Sequence, residues 1–501
     1  MKSYNFNMKI SRIEKKDLLP FLIYLYLFLP FMIFITGWTK PIVSIPVLIV
    51  LIVCFYRMVR SFPELWLPKI SRRNILKTLL ILFIIFVWVY LSGIGGFVWQ
   101  NSDHMFRNGI FQLLVVEKWP VVNFSIERFG QPIALVYYFG FWLPPAIIGK
   151  LFGLTAGYFA QVVWAVTGIF LFYYLIIAKY IQKIVLWSLL VLIFFSGLDT
   201  LGMHLLEYRN FNFNVGINGH IEWWTGPRMF QFSSMTTQLF WVFNQVLPAW
   251  LATLILLMQK NNRYIAIIIA LTMITGTLQF VGLVILAICI IVRNFMSENI
   301  YEQVRVSLRN IFTFENIIGG GMVGIISFLF LKANNIDNNI GFLDFHSKGF
   351  LRVSFLWFLF YIVEAGIFII AVWKYQKSNY LLFYSAIWLA ICPWIVVVGS
   401  PSDFCLKASV PALVIILLLV IDTINKCYLA KDFKTYTLIV VILVIGSFTP
   451  IREIMRTTLN TAYLMRNSQP IVWGSIDPLE LDYYRGHIKD NIFFDYLAKE
   501  R

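Results

Sequence analysis

Asp103, His104 and Arg107 stand in a short polar stretch between two long apolar runs. A carboxylate one helical turn from a guanidinium can take a proton from an attacking hydroxyl while the cation steadies a departing anion. Asp103, Arg107 and Gln112 come together if residues 102–116 form a helix. Its apolar residues Phe106, Ile110, Leu113 and Leu114 then make one stripe, the pattern of an amphipathic helix lying on a membrane surface. Asp103, or Ser102, would serve equally well as the cap of that helix.

A second polar stretch runs over 199–233. It opens with Asp199, carries His204 and Glu207 at helical spacing, and continues to His220 and Glu222, just before Trp223 and Trp224. Two His/Glu pairs could hold a metal. The simpler account makes them interfacial groups, with Trp223 and Trp224 in an aromatic belt. As a pocket, Glu222 would hold hydroxyls while the two indoles stack on sugar rings. The run 231–250 is unusually polar for a span, with Gln231, Ser233, Ser234, Thr236, Thr237, Gln238, Asn244 and Gln245. Such residues face a bundle interior or a cavity.

The elements that position these groups are set by composition. Of 501 residues 59% are hydrophobic and only 13% charged, against about 25% charged in a soluble domain. Apolar runs near 20 residues recur along the chain, which makes it an all-α integral membrane protein. Net charge is +16, from 41 Lys and Arg against 25 Asp and Glu. In a multi-span chain that excess belongs in loops facing the cytoplasm, and no basic stripe with interleaved aromatics points to nucleic acid. Cys54, Cys289, Cys392, Cys405 and Cys427 are scattered and imply neither a disulfide framework nor a zinc knuckle.

Threading by the positive-inside rule gives about 13 spans, with the N-terminus cytoplasmic and 95–133 and 199–233 outside. The basic N-terminus and the run 19–36 read as a retained first helix rather than a signal peptide. Lys179 and Lys183 call for the cytoplasm. That requires 134–152, with Pro144-Pro145, to lie along the outer interface while only 156–178 crosses. Residues 264–292 are a short hairpin or one tilted span. One transmembrane domain, 1–449, precedes a polar tail, 450–501, placed outside; its seven basic and seven acidic residues do not fix the side.

The stretch from Asp103 resembles the first external loop of lipid-linked-sugar glycosyltransferases of the GT-C fold, such as protein O-mannosyltransferases and lipid A aminoarabinose transferases. Those families carry an Asp-Glu pair after an early span, an amphipathic helix and a Trp-x-x-Pro-like stretch. A Pro-containing turn follows, then a Leu-Tyr-Tyr-Trp-Leu-like segment ending in Leu-Phe-Gly. Here stand Asp103-His104, the helix, Lys118-Trp119-Pro120, Gln131-Pro132, Leu135-Val136-Tyr137-Tyr138 and Leu151-Phe152-Gly153. Asp199, just outside a following span, and 403–411, at the entry to a late span, match more loosely. Two departures stand out: His104 replaces the second acid, and Gln131-Pro132-Ile133 replaces a phosphate-holding Lys-Pro-Pro.

The resemblance implies a GT-C-like membrane glycosyltransferase of the plasma membrane. It would move a sugar from a polyprenyl-phosphate donor to an envelope glycan, lipid or protein acceptor at the outer face. Asp103 would be the base, with Arg107, Lys118, Arg128 and Arg209 as candidates for the donor phosphate. His104, Asp199, Glu222, Trp223, Trp224 and Lys407 would line the substrate pocket. No particular cofactor is implied, and a divalent metal is left open. The competing classes are a transporter or flippase, which lacks support from a midplane charge pair or repeated halves, and a polysaccharide polymerase.

Overall fold

The computed structural model describes residues 18–123, 132–206, 221–222, 230–295, 306, 308–334, 340–343, 349–397, 402–470 and 484–500, with the side chains of 204–206 excepted. Helices dominate because hydrocarbon offers backbone groups no partner outside their own segment. In chain order they are α1 (Leu18–Trp38), α2 (Pro41–Ser61), α3 (Arg72–Leu91), α4 (Ser102–Val116), α5 (Leu143–Phe152), α6 (Leu154–Ile176), α7 (Trp187–Phe194), α8 (Asp199–Leu206), α9 (Met235–Met258) and α10 (Ile265–Met273). There follow α11 (Thr277–Phe295), α12 (Gly321–Leu331), α13 (Phe350–Tyr361), α14 (Ile367–Gln376), α15 (Tyr380–Ile391), α16 (Asp403–Ala408), α17 (Val410–Ala430), α18 (Phe433–Gly446) and α19 (Phe448–Arg466).

Nine helices among the described residues are long and apolar enough to cross a bilayer. Four further apolar helices are shorter: Trp187–Met203, Asn262–Met273, Glu315–Leu331 and Tyr380–Trp394. The protein is therefore an all-α, multi-pass membrane protein. α9 and α17 form its centre, with 94% and 83% of their apolar windows buried, whereas α2 and α3 face outward.

The segment 134–152 contains no span. It comprises strand β2 (Ile133–Leu135), a tight turn at Gly140–Trp142 and the ten-residue α5. Pro144 and Pro145 sit in the first turn of α5, where a missing N–H costs nothing, so they start that helix instead of breaking one. The helix that crosses next is Leu154–Ile181. Residues 264–292 form a hairpin, because Asn294 Nδ2 donates to Asn262 Oδ1 (2.8 Å) and brings both open ends together. Its tip meets the 140–142 turn through Gly140 N–H to Ile274 C=O (2.9 Å). From Asn262 to Ile274 is roughly 18 Å of helix, so the 140–142 turn that meets its tip lies deeper in the bundle than the ends of the longer helices.

Ion pairs tie one end of the bundle: Arg57 and Arg263 on Glu315 (3.2 and 3.7 Å), Lys374 on Asp432 (2.6 Å) and Lys426 on Asp422 (2.6 Å). The opposite end carries α4, α16 and the small strands. There β1 (Val122–Asn123), β2 and β5 (Arg485–His487) form an antiparallel sheet in the order β1-β2-β5, while β3 (Ile340–Phe342) pairs with β4 (Ile395–Val397). Described residues beyond 449 pack into this end. α19 continues from α18, β5 joins the sheet, and Phe493 stacks on Phe34.

Candidate functional site

The cap of α4 is Asn101, whose side chain accepts from Asp103 N–H (3.1 Å). Asp103 and Ser102, both expected as candidate caps, are therefore first-turn residues. Freed from capping, Asp103 Oδ2 accepts from Arg107 Nη2 at 2.9 Å, one turn along. The helix lies under more protein than a surface helix would. Its buried face includes His104, Arg107 and Asn108 beside Ile110, Phe111, Leu114 and Val115. It lies close to the α5–α6 turn because Gly149 and Gly157 face it. A Cβ at those positions would come within 2.7 Å of Val115 and 2.9 Å of Phe111.

A break in α9 sets the rest of the register. Val242 has φ −138° and ψ 30°, which interrupts the hydrogen-bond ladder and leaves Phe240 C=O free. Two side chains take it up, Asn101 Nδ2 at 2.9 Å and His104 Nε2 at 3.1 Å. The other ring nitrogen of His104 meets Gln100 Nε2 (3.4 Å), so the neutral tautomer with a proton on Nε2 satisfies both contacts. Burial, reinforced by Arg107, pushes the imidazole down to about 3. His104 is 1% exposed and braces α4 against α9.

Arg107 is also buried, and its guanidinium lies over the Phe243 ring at 5.5 Å. One nitrogen pairs with Asp103. The other, Nη1, is buried and has no acceptor among the described residues. A donor left so costs about 1–3 kcal/mol, which favours an anion or carbonyl arriving from outside the chain.

Residues from the far end of the sequence complete the pocket. Pairing of β5 with β2, and Val136 N–H to Tyr484 C=O (2.8 Å), set Tyr484 against Tyr137, with ring centroids 4.7 Å apart. Tyr138 lies next to Tyr137 at 3.8 Å. On α16, Lys407 Nζ pairs with Asp403 (2.8 Å). That short helix presses onto α11 where Gly282 leaves room, since a Cβ there would come within 2.3 Å of Ala408 C=O. Burial works to lower the Lys407 pKa, but Asp403, Tyr138 and Asp103 outweigh it and keep the ammonium charged. Burial raises Tyr137 and Tyr484 well above the usual phenol range. Asp103, with its carboxyl side chain 45% exposed, is the open member of the group.

Beneath Tyr138 the lining turns neutral. Gln245 Nε2 reaches Tyr138 Oη (3.4 Å), and Gln279 lies against Gly276 beside Gln245. Both amide atoms of Asn244 and of Gln279 are buried without a protein partner among the described residues.

Asp199 and Glu222 belong to a second pocket, on the other flank of α9. Asp199 Oδ2 accepts from Ser196 (2.9 Å) and Thr449 (2.8 Å). Glu222 accepts from Ser234 N–H (3.0 Å), Ser233 Oγ (2.7 Å) and Gln231 Nε2 (3.3 Å). Burial, with Asp199 and Glu453 nearby, pushes Glu222 up to about 8. Glu453 is held by Arg456 and by Trp241 Nε1 (2.9 Å). The Arg456 guanidinium lies over Trp99 and Trp241 at 5.9 and 5.2 Å.

Of the other expected site residues, Lys118 is exposed beyond the far end of α4. Arg128, Arg209, Trp223 and Trp224 lie outside the described residues, as do Glu207, His220 and the His204 side chain. Among the described residues no three His, Cys, Asp or Glu side chains gather where they could hold a metal ion. Tyr137, Tyr138 and Asp403 stood in the motif stretches without a role. Tyr484, in the polar tail, carried no signal. No known family model, curated protein or solved structure matches the chain.

Proposed function

We propose that this protein is a membrane glycosyltransferase of GT-C-like architecture. It takes a sugar from a polyprenyl-phosphate donor and passes it to an envelope glycan, lipid or protein. On this reading the four shorter helices complete thirteen crossings in the plasma membrane. The basic end is cytoplasmic and the Asp103 end faces outward, as the positive-inside rule requires.

The observation that carries the reading is Arg107, whose buried Nη1 has no acceptor among the described residues, one turn from a half-exposed carboxylate and in the same pocket as Lys407. Two fixed cations suit a departing phosphate, which needs charge stabilisation and no proton. Asp103 is placed to take the acceptor's hydroxyl proton as that oxygen attacks the anomeric carbon. The Gln279 amide, which has no partner among the described residues, and the tyrosine rings suit a neutral ring with many hydroxyls. A donor that cannot leave the bilayer needs its site at the membrane boundary, where α4 lies.

The test is transfer from a polyprenyl-phosphate sugar by purified protein. Asp103→Asn keeps the hydrogen bond to Arg107 and should abolish transfer, while the protein elutes as a folded monodisperse peak. Unchanged turnover would remove Asp103 from the base role.

A further inference from the structure

A crevice of about 1190 Å³ opens on the flank of the bundle between α11 and α15, at the end opposite Asp103. Its walls are apolar and outward-facing: Ile288 and Val292 on one side, Phe383 and Ile387 on the other, each 44–60% exposed. Its rim carries Lys260 and Arg293. Several other cations at this end sit on carboxylates: Arg57 and Arg263 on Glu315, Lys374 on Asp432, Lys426 on Asp422. Lys260 and Arg293 have no carboxylate among the described residues; Arg293 reaches only the Asn294 amide (3.5 Å) and the Tyr380 ring (5.0 Å).

We propose that this crevice binds one anionic phospholipid from the leaflet on the basic face. The phosphate would sit between Lys260 and Arg293, and an acyl chain would lie between α11 and α15. The dimensions agree. From Tyr380 to Ile391 the wall runs roughly 16 Å, close to the depth of one leaflet's hydrocarbon. The chemistry agrees too, because juxtamembrane cations not neutralised by a carboxylate select anionic headgroups over zwitterionic ones.

The crevice is not a second view of the Asp103 pocket. Arg293 stands roughly 21 Å along α11 from Gln279, so a head held at the rim lies at the opposite membrane surface from that pocket. The inner end does approach the helix that carries Lys407. Trp388, in the crevice wall, donates from Nε1 to Ala408 C=O at 2.9 Å. A bound chain would therefore support the seat of α16.

The experiment uses the full chain in vesicles with a tail-labelled photoreactive phosphatidylglycerol, and the matching phosphatidylcholine as control. Adducts mapped by mass spectrometry should fall on α11 and α15 and favour phosphatidylglycerol by at least fivefold. Lys260→Gln and Arg293→Gln should each cut labelling about fivefold, and Ile288→Trp, which fills the crevice, should block it. Equal labelling by the two lipids overturns the proposal. So do adducts spread evenly over outward-facing helices such as α2, or undiminished labelling with both cations removed. Displacement of the label by polyprenyl phosphate but not by unlabelled phosphatidylglycerol also overturns it, in favour of a carrier site. If a cation variant fails to fold, the ratio between the two lipids on the unaltered protein decides.

Discussion

Two carboxylate pockets lie against the first half of α9, and they use nearly the same parts. On one flank Asp103 and Arg107 meet Lys407 and three tyrosines; on the other Asp199, Glu222 and Glu453 meet Arg456 and two tryptophans. The difference lies in how far the carboxylates are open. In the Asp199 pocket serine and threonine hydroxyls, a backbone N–H and an indole occupy the carboxylates. Each pocket keeps one buried guanidinium nitrogen without an acceptor among the described residues, Arg107 Nη1 and Arg456 Nε, but only in the Asp103 pocket is the carboxylate half open. A carboxylate shut inside the fold and taken up by its donors braces that fold, whereas one left half open can meet a group from outside. The comparison assigns binding to the first pocket and bracing to the second.

The sharpest way to break that assignment is to remove the arginine from each. Arg456 is buried, and Arg456→Gln leaves Glu453 without its cation, which should cost about 3–5 kcal/mol of stability. Thermal unfolding in detergent should show it as a large fall in midpoint. Arg107→Gln should leave that midpoint nearly in place and lower sugar transfer about 100-fold, the size expected for losing one preorganised charge partner of a leaving group. If the stability and activity losses fell the other way round, the two pockets would have to exchange roles.

Glu222 gives a second test, through pH. Its carboxyl is raised in the folded chain from an ordinary 4.5 to about 8. Within that window the folded protein keeps a proton that the unfolded chain has released. Stability therefore falls as pH rises, and the fall ends above the folded value. Glu222→Gln, which cannot ionise, should flatten the decline in unfolding midpoint between about pH 5 and 8 and raise the midpoint at the alkaline end. A decline that persists unchanged in the variant would place its origin in another group.

Much of this arrangement was legible in the sequence. Charge placement alone kept 134–152 from being a span, since Lys179 and Lys183 had to return to the basic face; the structure gives that segment a strand, a turn and a short helix. Periodicity placed the helix at 102–116, where α4 lies. What stayed hidden depends on tertiary contact. The role of His104 follows from a helix break at Val242 that frees one carbonyl, and no residue there announces a break. The α4 cap fell to Asn101 because its side chain reaches Asp103 N–H, a contest between neighbouring cappers that sequence leaves undecided. Tyr484 enters the pocket because a three-residue strand from the tail pairs with β2, and strands so short carry almost no pattern.

The smallest expected effect tests how local the Asp103 pocket is. Lys118 was a candidate for the donor phosphate by proximity in sequence. It lies past the C-terminal end of α4, roughly 20 Å of rise from Asp103, exposed to solvent. The cation that works at that end is Lys150, which donates to the carbonyls of Val115 (3.1 Å) and Glu117 and lies over Trp119 at 5.1 Å. It satisfies groups that the end of a helix leaves open. Lys118→Ala should therefore change transfer less than twofold and leave the unfolding free energy within about 0.5 kcal/mol. A loss comparable to that of Arg107→Gln would mean that the donor phosphate lies along α4 rather than at its N-terminal turn, and Lys407 would then be too distant to share it.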